Sequence, residues 1–269
     1  LSVQRLETLN EQRRTHNEHM KIAIAGKGGT GKTTLSAGLC LSFAEEGKRV
    51  LAVDADSNNC LGYALGFPQQ VLERVAPLSE MKEDLRKRAG AADSGGYFLL
   101  SPEVSDLLDK HAVEYNGIRL LVMGTISEPG GGCVCPESVV LRALTRHLVG
   151  REEVVILDLE AGIEHLGRGT ARHVDWLVIM VEPNAASMRT AQRIAGLAKG
   201  LGIPKIGIAA NRVKRDEEKE EVFHALPGLP LLGAIPYDLA LENTSFVPWE
   251  NDEVFRRAIS EIKAGLMRL

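Results

Sequence analysis

Gly26-Lys27-Gly28-Gly29-Thr30-Gly31-Lys32-Thr33-Thr34 decides how this chain is read. An apolar run, Lys21 to Ala25, precedes it, and a helical pattern, Leu35 to Glu46, follows. Between a strand and a helix, the spacing G-x-x-x-x-G-K-[ST] describes a P-loop. The glycines let backbone N–H groups turn inward around phosphate oxygens, and the helix N-terminus adds the positive end of its dipole. Gly28, Gly29, Thr30, Gly31, Lys32, Thr33 and Thr34 are therefore read as the nucleotide cradle. Lys32 is placed to reach the β/γ-phosphates, and the Thr33 hydroxyl to hold Mg²⁺. A glycine-rich turn without a ligand is the alternative, and it requires neither the complete motif nor both flanks.

The rest of the composition narrows the class. The chain has 269 residues, 44% of them hydrophobic. That suffices for one large α/β domain over residues 20–269, without a second domain. No apolar run approaches the roughly 20 residues of a membrane span. Residues 1–19 lack an apolar core and read as an N-terminal extension, or as sequence upstream of a start at Met20. A net charge of −4 leaves no electrostatic footprint for nucleic acid. Four cysteines without a signal peptide indicate a reducing, cytoplasmic setting with free thiols or metal ligands.

Further apolar runs place acidic residues at strand ends. Arg49 to Val53 reads as a second parallel strand ending in Asp54-Ala55-Asp56. Ligands bind at the C-terminal edge of doubly wound sheets, so Asp54 and Asp56 are read as facing one side. One is assigned to Mg²⁺ and the other to the γ-phosphate, against the alternative of ordinary turn residues. Val154 to Leu157 is wholly apolar, as at the centre of a parallel sheet. It leads to Asp158, the Walker B position beside Mg²⁺. Ala161 to Gly169 reads as a switch loop, without a catalytic role for His165. Trp176 to Val181 and Lys205 to Ala210 read as strands around a helix, Ala185 to Leu201, and the second strand stops before Asn211-Arg212. Ser79 to Ala89 reads as a helix with a solvated charged face. Gly117 to Gly124 reads as a strand, and Ser138 as the cap of a helix running to Leu148. Val254 to Leu269 reads as a terminal helix packed on the sheet. The fold expected is α/β: one doubly wound, mostly parallel sheet with helices on both faces.

Cys133 and Cys135 lie one residue apart in Gly130-Gly131-Gly132-Cys133-Val134-Cys135-Pro136. A disulfide between such close neighbours would be strained. As ligands for Ni²⁺ or Zn²⁺ they form half of a tetrahedral site, which a two-fold dimer axis would complete. Cys40 reads as a small buried apolar residue.

The K-G-G-x-G-K-T form of the P-loop resembles the deviant Walker A ATPases. These include nitrogenase iron protein, arsenite and tail-anchor ATPases, and the Min and Par positioning ATPases. The resemblance implies that Lys27 reaches a partner's nucleotide across an ATP-dependent homodimer. It also implies that Asn211 recognises adenine, with Arg212, Pro236 and Asp238 beside the base. GGGCVCPE at 130–137 and DLEAGIEHLGRG at 158–169 sharpen the likeness. From Met20 onward the chain resembles the carbon monoxide dehydrogenase maturation ATPases of CooC type. What that implies is an ATP-hydrolysing metallochaperone with carbon monoxide dehydrogenase as client and ATP, Mg²⁺ and Ni²⁺ or Zn²⁺ as cofactors. Lys27, Lys32 and Asp56 would be catalytic, Thr33, Asp54 and Asp158 would hold Mg²⁺, and no nucleic acid or stable membrane association is implied. Two rival readings are a dimeric reductase with a bridging 4Fe–4S cluster and a Min/Par-type positioning ATPase.

Overall fold

The computed structural model describes residues 20–91, 99, 102–124, 136–148, 154–163, 174–242, 244 and 246–268. Among the described residues eight strands form one sheet: β1 (Met20–Gly26), β2 (Val50–Ala55), β3 (Val113–Tyr115), β4 (Ile118–Val122), β5 (Val154–Leu159), β6 (Trp176–Val181), β7 (Lys205–Val213) and β8 (Leu231–Pro236). Their order is β3-β4-β2-β5-β1-β6-β7-β8. Every pairing is parallel except the β3–β4 hairpin at one edge. The longer helices are α1 (Lys32–Glu45), α2 (Lys82–Arg88), α3 (Pro136–Leu148), α4 (Ala185–Leu201), α5 (Asp216–Ala225) and α6 (Glu253–Arg268).

Alternate side chains of a strand face opposite sides of the sheet, and the central strands sort themselves accordingly. Ile22, Ile24, Val154, Ile156 and Val178 enter one core layer with Leu35 and Leu39 of α1 and Phe255 and Ile259 of α6. Ala23, Val155, Leu157 and Ile179 enter the other, with Leu144 of α3, Ile194 of α4 and Val222 of α5. Covered on both faces, these strands are apolar apart from Lys21 near the start of β1 and Asp158 near the end of β5. The terminal helix buries Phe255, Ile259, Ile262 and Leu266, as its spacing predicts. It docks on α1 because Gly38 has no side chain: a Cβ there would lie 2.8 Å from atoms of Ile259 and Phe255. Arg256–Glu45 (3.0 Å) and Lys263–Glu46 (2.7 Å) ion pairs flank this contact.

Several expected boundaries move. The charged helix expected over Ser79–Ala89 is split into a 3₁₀ turn, Leu78–Glu80, and α2, with Met81 non-helical between them. Helix α3 starts at Pro136 rather than after a Ser138 cap, because proline suits a first helical turn, where its missing N–H costs nothing. Strand β7 does not stop at Ala210 but continues to Val213, so Asn211 and Arg212 lie inside it. The β3–β4 hairpin turns on Asn116 (φ 49°) and Gly117 (φ 75°), the left-handed pair that a tight hairpin selects.

Candidate functional site

The cradle forms where β1 gives way to α1. Gly29 (φ 80°) and Gly31 (φ 88°) occupy left-handed backbone, which glycine adopts without steric cost. The Thr30 hydroxyl and N–H both donate to the Lys27 carbonyl, at 2.8 and 3.2 Å, closing the turn. Lys32 is buried at the start of α1, whereas Lys27 is exposed on the loop.

Strand parity supplies the acidic part of the site. Val50 and Ala52 of β2, and Val154 and Ile156 of β5, face the α1 layer, so Asp54 and Asp158 do as well. The two carboxylates are direct register partners across adjacent strands. Asp158 is 1% exposed; its Oδ1 accepts from the Ser36 hydroxyl at 3.0 Å, the Thr33 hydroxyl also bonds the carboxylate, and Oδ2 is buried without a partner. Asp54 accepts from the N–H groups of Leu61 (2.9 Å) and Asp56 (3.2 Å). Burial pushes Asp158 up to about 7, against the Thr33 hydrogen bond, and the neighbouring Asp54 charge adds to the rise. Burial likewise takes Asp54 up to about 6, against its backbone donors. Two sequestered carboxylates with an orphaned oxygen, beside a threonine hydroxyl, are an oxygen donor set that suits a hard divalent cation such as Mg²⁺. Ser36 is a member that sequence reading missed. It lies one helical turn after Lys32 and Thr33, and that spacing was the available signal.

Asp56 is half-buried beyond the end of β2. Its Oδ1 accepts from the backbone and side-chain nitrogens of Asn58, at 2.9 and 3.0 Å. It therefore holds the turn that leads away from the strand. Ser57 links that turn to Glu160 beyond β5, at 3.2 Å.

At the β7 end, Asn211 is buried against the P-loop. Its Nδ2 donates to the Thr30 carbonyl at 2.8 Å, and its Oδ1 accepts from the Arg212 N–H at 2.9 Å. Arg212 donates to the Gly29 carbonyl at 3.1 Å and pairs with Glu182 and Glu242. It lines a cleft of about 430 Å³ with Glu182, Asn184, Lys214, Tyr237 and Glu242. The Lys214 ammonium lies 4.4 Å from the centroid of the Tyr237 ring. Pro236 is exposed, and Asp238 accepts from the Ala240 N–H at 2.7 Å, capping a short helix.

Cys133 and Cys135, the stretch around His165 and residues 1–19 lie outside the described residues. Cys40 is buried, with its thiol pushed upward by desolvation. Cys60 is exposed, and partial burial and the carboxylates of Asp54, Asp56 and Asp158 raise its pKa. Among the described residues no group of three or more His, Cys, Asp or Glu could hold a metal ion, and no helix is long and apolar enough to cross a membrane.

A family model for the CobQ/CobB/MinD/ParA nucleotide binding domain matches residues 21–246. The chain belongs to that family. Within it, the chain is 44% identical to the carbon monoxide dehydrogenase accessory protein CooC of Rhodospirillum rubrum, over 83% of this chain and 86% of that one. It is 46% identical to an ATP-binding protein of Methanocaldococcus jannaschii, over 93% and 98% of the two chains. The MinD cell division protein of Aquifex aeolicus superposes with a TM-score of 0.65 at 24% identity, covering 92% of this chain and 96% of that chain. A ParA family ATPase of Chlorobium tepidum gives 0.66 at 20% identity, covering 93% and 98%. At such identities the solved structures show the MinD/ParA P-loop fold, and the sequence relatives make this member of the CobQ/CobB/MinD/ParA family a CooC-type ATPase.

Proposed function

We propose that this ATPase is a metallochaperone that assists nickel insertion into carbon monoxide dehydrogenase. The observation that carries the reading is the 44% identity, over most of both chains, to a protein named as a carbon monoxide dehydrogenase accessory protein. The Cys133-Val134-Cys135 pair in this sequence supplies the soft ligands such a role requires. Nickel is cargo. Two thiolates per chain leave a tetrahedral ion half-ligated, so the site belongs to a homodimer. Zn²⁺ would compete for it, since soft thiolates do not distinguish the two ions sharply.

In the ATP cycle Lys32 grips the β/γ-phosphates from its own chain, and Lys27 reaches the partner's nucleotide. Thr33, Asp54 and Asp158 would hold Mg²⁺, which when bound neutralises charge on the phosphate oxygens. Asp56 orients the attacking water, which displaces ADP from the γ-phosphorus. Loss of γ-phosphate contacts then relaxes the dimer, the logic of a nucleotide switch, and alters how the two Cys-x-Cys loops face each other.

Metal analysis of anaerobically purified protein, with and without ATP, tests this reading. One tightly held Ni²⁺ or Zn²⁺ per two chains is expected. Cys133→Ser and Cys135→Ser should each abolish it, leave nucleotide binding intact and fail to activate carbon monoxide dehydrogenase in a reconstitution with nickel and ATP. Stoichiometric metal in the double variant would overturn the assignment.

A further inference from the structure

Successive side chains of a strand point to opposite faces, yet Asn211 and Arg212 both bond to the P-loop. The register explains how. Between β7 and β8, Ala210 pairs with Ala234 and Val213 with Pro236, so three steps on β7 oppose two on β8. This is a β-bulge, a device that re-aims side chains beside active sites. Arg212 sits within it at φ 56°, left-handed backbone that an arginine rarely adopts. Asn211 keeps the parity that takes it toward α1 and the P-loop. The bulge then brings Arg212 back toward the same loop.

The two side chains hold two consecutive carbonyls, those of Thr30 and Gly29, at 2.8 and 3.1 Å. In a planar trans peptide the C=O of one residue and the N–H of the next point in opposite directions. Drawing the Thr30 carbonyl onto Asn211 therefore aims the Gly31 N–H away from Asn211 and the strand end. Drawing the Gly29 carbonyl onto Arg212 aims the Thr30 N–H away in the same manner, into its bond with the Lys27 carbonyl. The fit is close: a Cβ on Gly31 would stand 2.3 Å from Asn211 Nδ2. Glu182, just after β6, and Glu242, at the end of a short helix, fix the guanidinium, so its position does not depend on a ligand.

We propose that Asn211 and Arg212 are positioning residues for phosphate binding: Asn211 turns the Gly31 amide toward phosphate, and Arg212 fixes the Gly29–Thr30 peptide whose N–H closes the loop onto Lys27, whatever base the nucleotide carries. The inference rests on the P-loop being the nucleotide site, and not on the metallochaperone reading. It gives Asn211 a task that recognition of adenine alone does not.

Inorganic tripolyphosphate, which has no base, separates the two roles. Its affinity and that of ADP would be measured by calorimetry with Mg²⁺ on the full chain and on Asn211→Ala, Arg212→Ala and Arg212→Lys. Asn211→Ala should weaken both ligands by a similar factor, about tenfold, with the binding stoichiometry unchanged. A merely structural defect would lower the stoichiometry and the melting temperature instead. Arg212→Ala should weaken both ligands in parallel, and Arg212→Lys, which keeps a donor for the Gly29 carbonyl, should recover part of the loss. Should Asn211→Ala fail to fold, the two Arg212 variants decide alone. Weaker ADP binding with unchanged tripolyphosphate binding would make these residues readers of the base and overturn the proposal. Unchanged affinities for both ligands, or no tripolyphosphate binding by the unaltered protein, would overturn it too.

Discussion

Asp158 occupies a position that is costly without a ligand. A carboxylate removed from water, one oxygen unsatisfied and a second carboxylate alongside, is destabilising when charged. The cost is the reverse side of cation binding, because a divalent ion would satisfy the oxygen and screen both charges. Asp158→Asn should therefore separate stability from function. The nucleotide-free protein should gain about 1 kcal/mol, seen as a melting temperature raised by roughly 2–4 °C. Mg²⁺-dependent ATP turnover should fall by on the order of 10²-fold or more. Ser36→Ala removes one of the two hydroxyls that orient Asp158 and leaves Thr33 in place, and a loss of about 10–100-fold in apparent Mg²⁺ affinity is expected. A titration of ATPase rate against Mg²⁺ checks both variants; an unchanged Mg²⁺ dependence in Asp158→Asn would remove Asp158 from the cation site.

Among the elements, α2 and the short helix Leu107–His111 are joined by a fork. Arg88 donates to both oxygens of Asp106, at 2.7 and 2.9 Å, and to Asp84 at 2.8 Å. Arg88 and then Lys110 hold the Asp106 carboxyl well below the usual carboxylate range. A depressed value contributes stability that is present above the unfolded-state pKa and lost as pH falls through the folded one. Asp106 is partly exposed, so the contribution is about 1 kcal/mol or less after screening. Asp106→Asn should thus lower the urea midpoint at neutral pH, and the gap from the unaltered protein should close as pH falls below the ordinary value of 3.8. On the other sheet face, Gly38→Ala forces a Cβ onto Ile259 and Phe255 and should cost about 1–3 kcal/mol by overpacking, measurable by the same denaturation. These contacts also mark what was legible in the sequence. The P-loop, the central strands and α4 could be read because their signals are local: glycine spacing, apolar runs and helical period. Arg88 read as part of a solvated face because Asp106 is distant in sequence. Helix α5, with its acidic Asp216-Glu217-Glu218 start, was missed because only Val222 is fully buried along it, which leaves little apolar period to detect. The β7 bulge could not be read at all, since register with β8 is a tertiary property.

For the molecule as a whole, the two P-loop lysines divide inside from outside. Lys32 is buried against its own chain, in the field of Asp158. Lys27 is exposed on the outer turn, where its backbone carbonyl closes the loop onto Thr30 and its side chain is not needed to build it. A lysine used only to bind nucleotide within one chain would sit as Lys32 does. Lys27→Ala should then leave the fold and ADP affinity nearly unchanged, because surface substitutions away from caps and core usually stay within about 0.5 kcal/mol. If the proposed homodimer forms around ATP, with Lys27 reaching the partner's phosphates, the same substitution should abolish ATP-dependent dimerisation in sizing experiments. ATP turnover should drop on the order of 10²-fold, as when a charge stabilising phosphoryl transfer is withdrawn. Because the missing group would belong to the neighbouring chain, mixing Lys27→Ala with an Asp158→Asn chain provides a sharper test. A mixed dimer would contain one site with an intact Asp158 and a lysine donated by the partner, so activity should reappear on mixing two inactive proteins. Failure to complement, with mixed dimers shown to form, would place the action of Lys27 within its own chain.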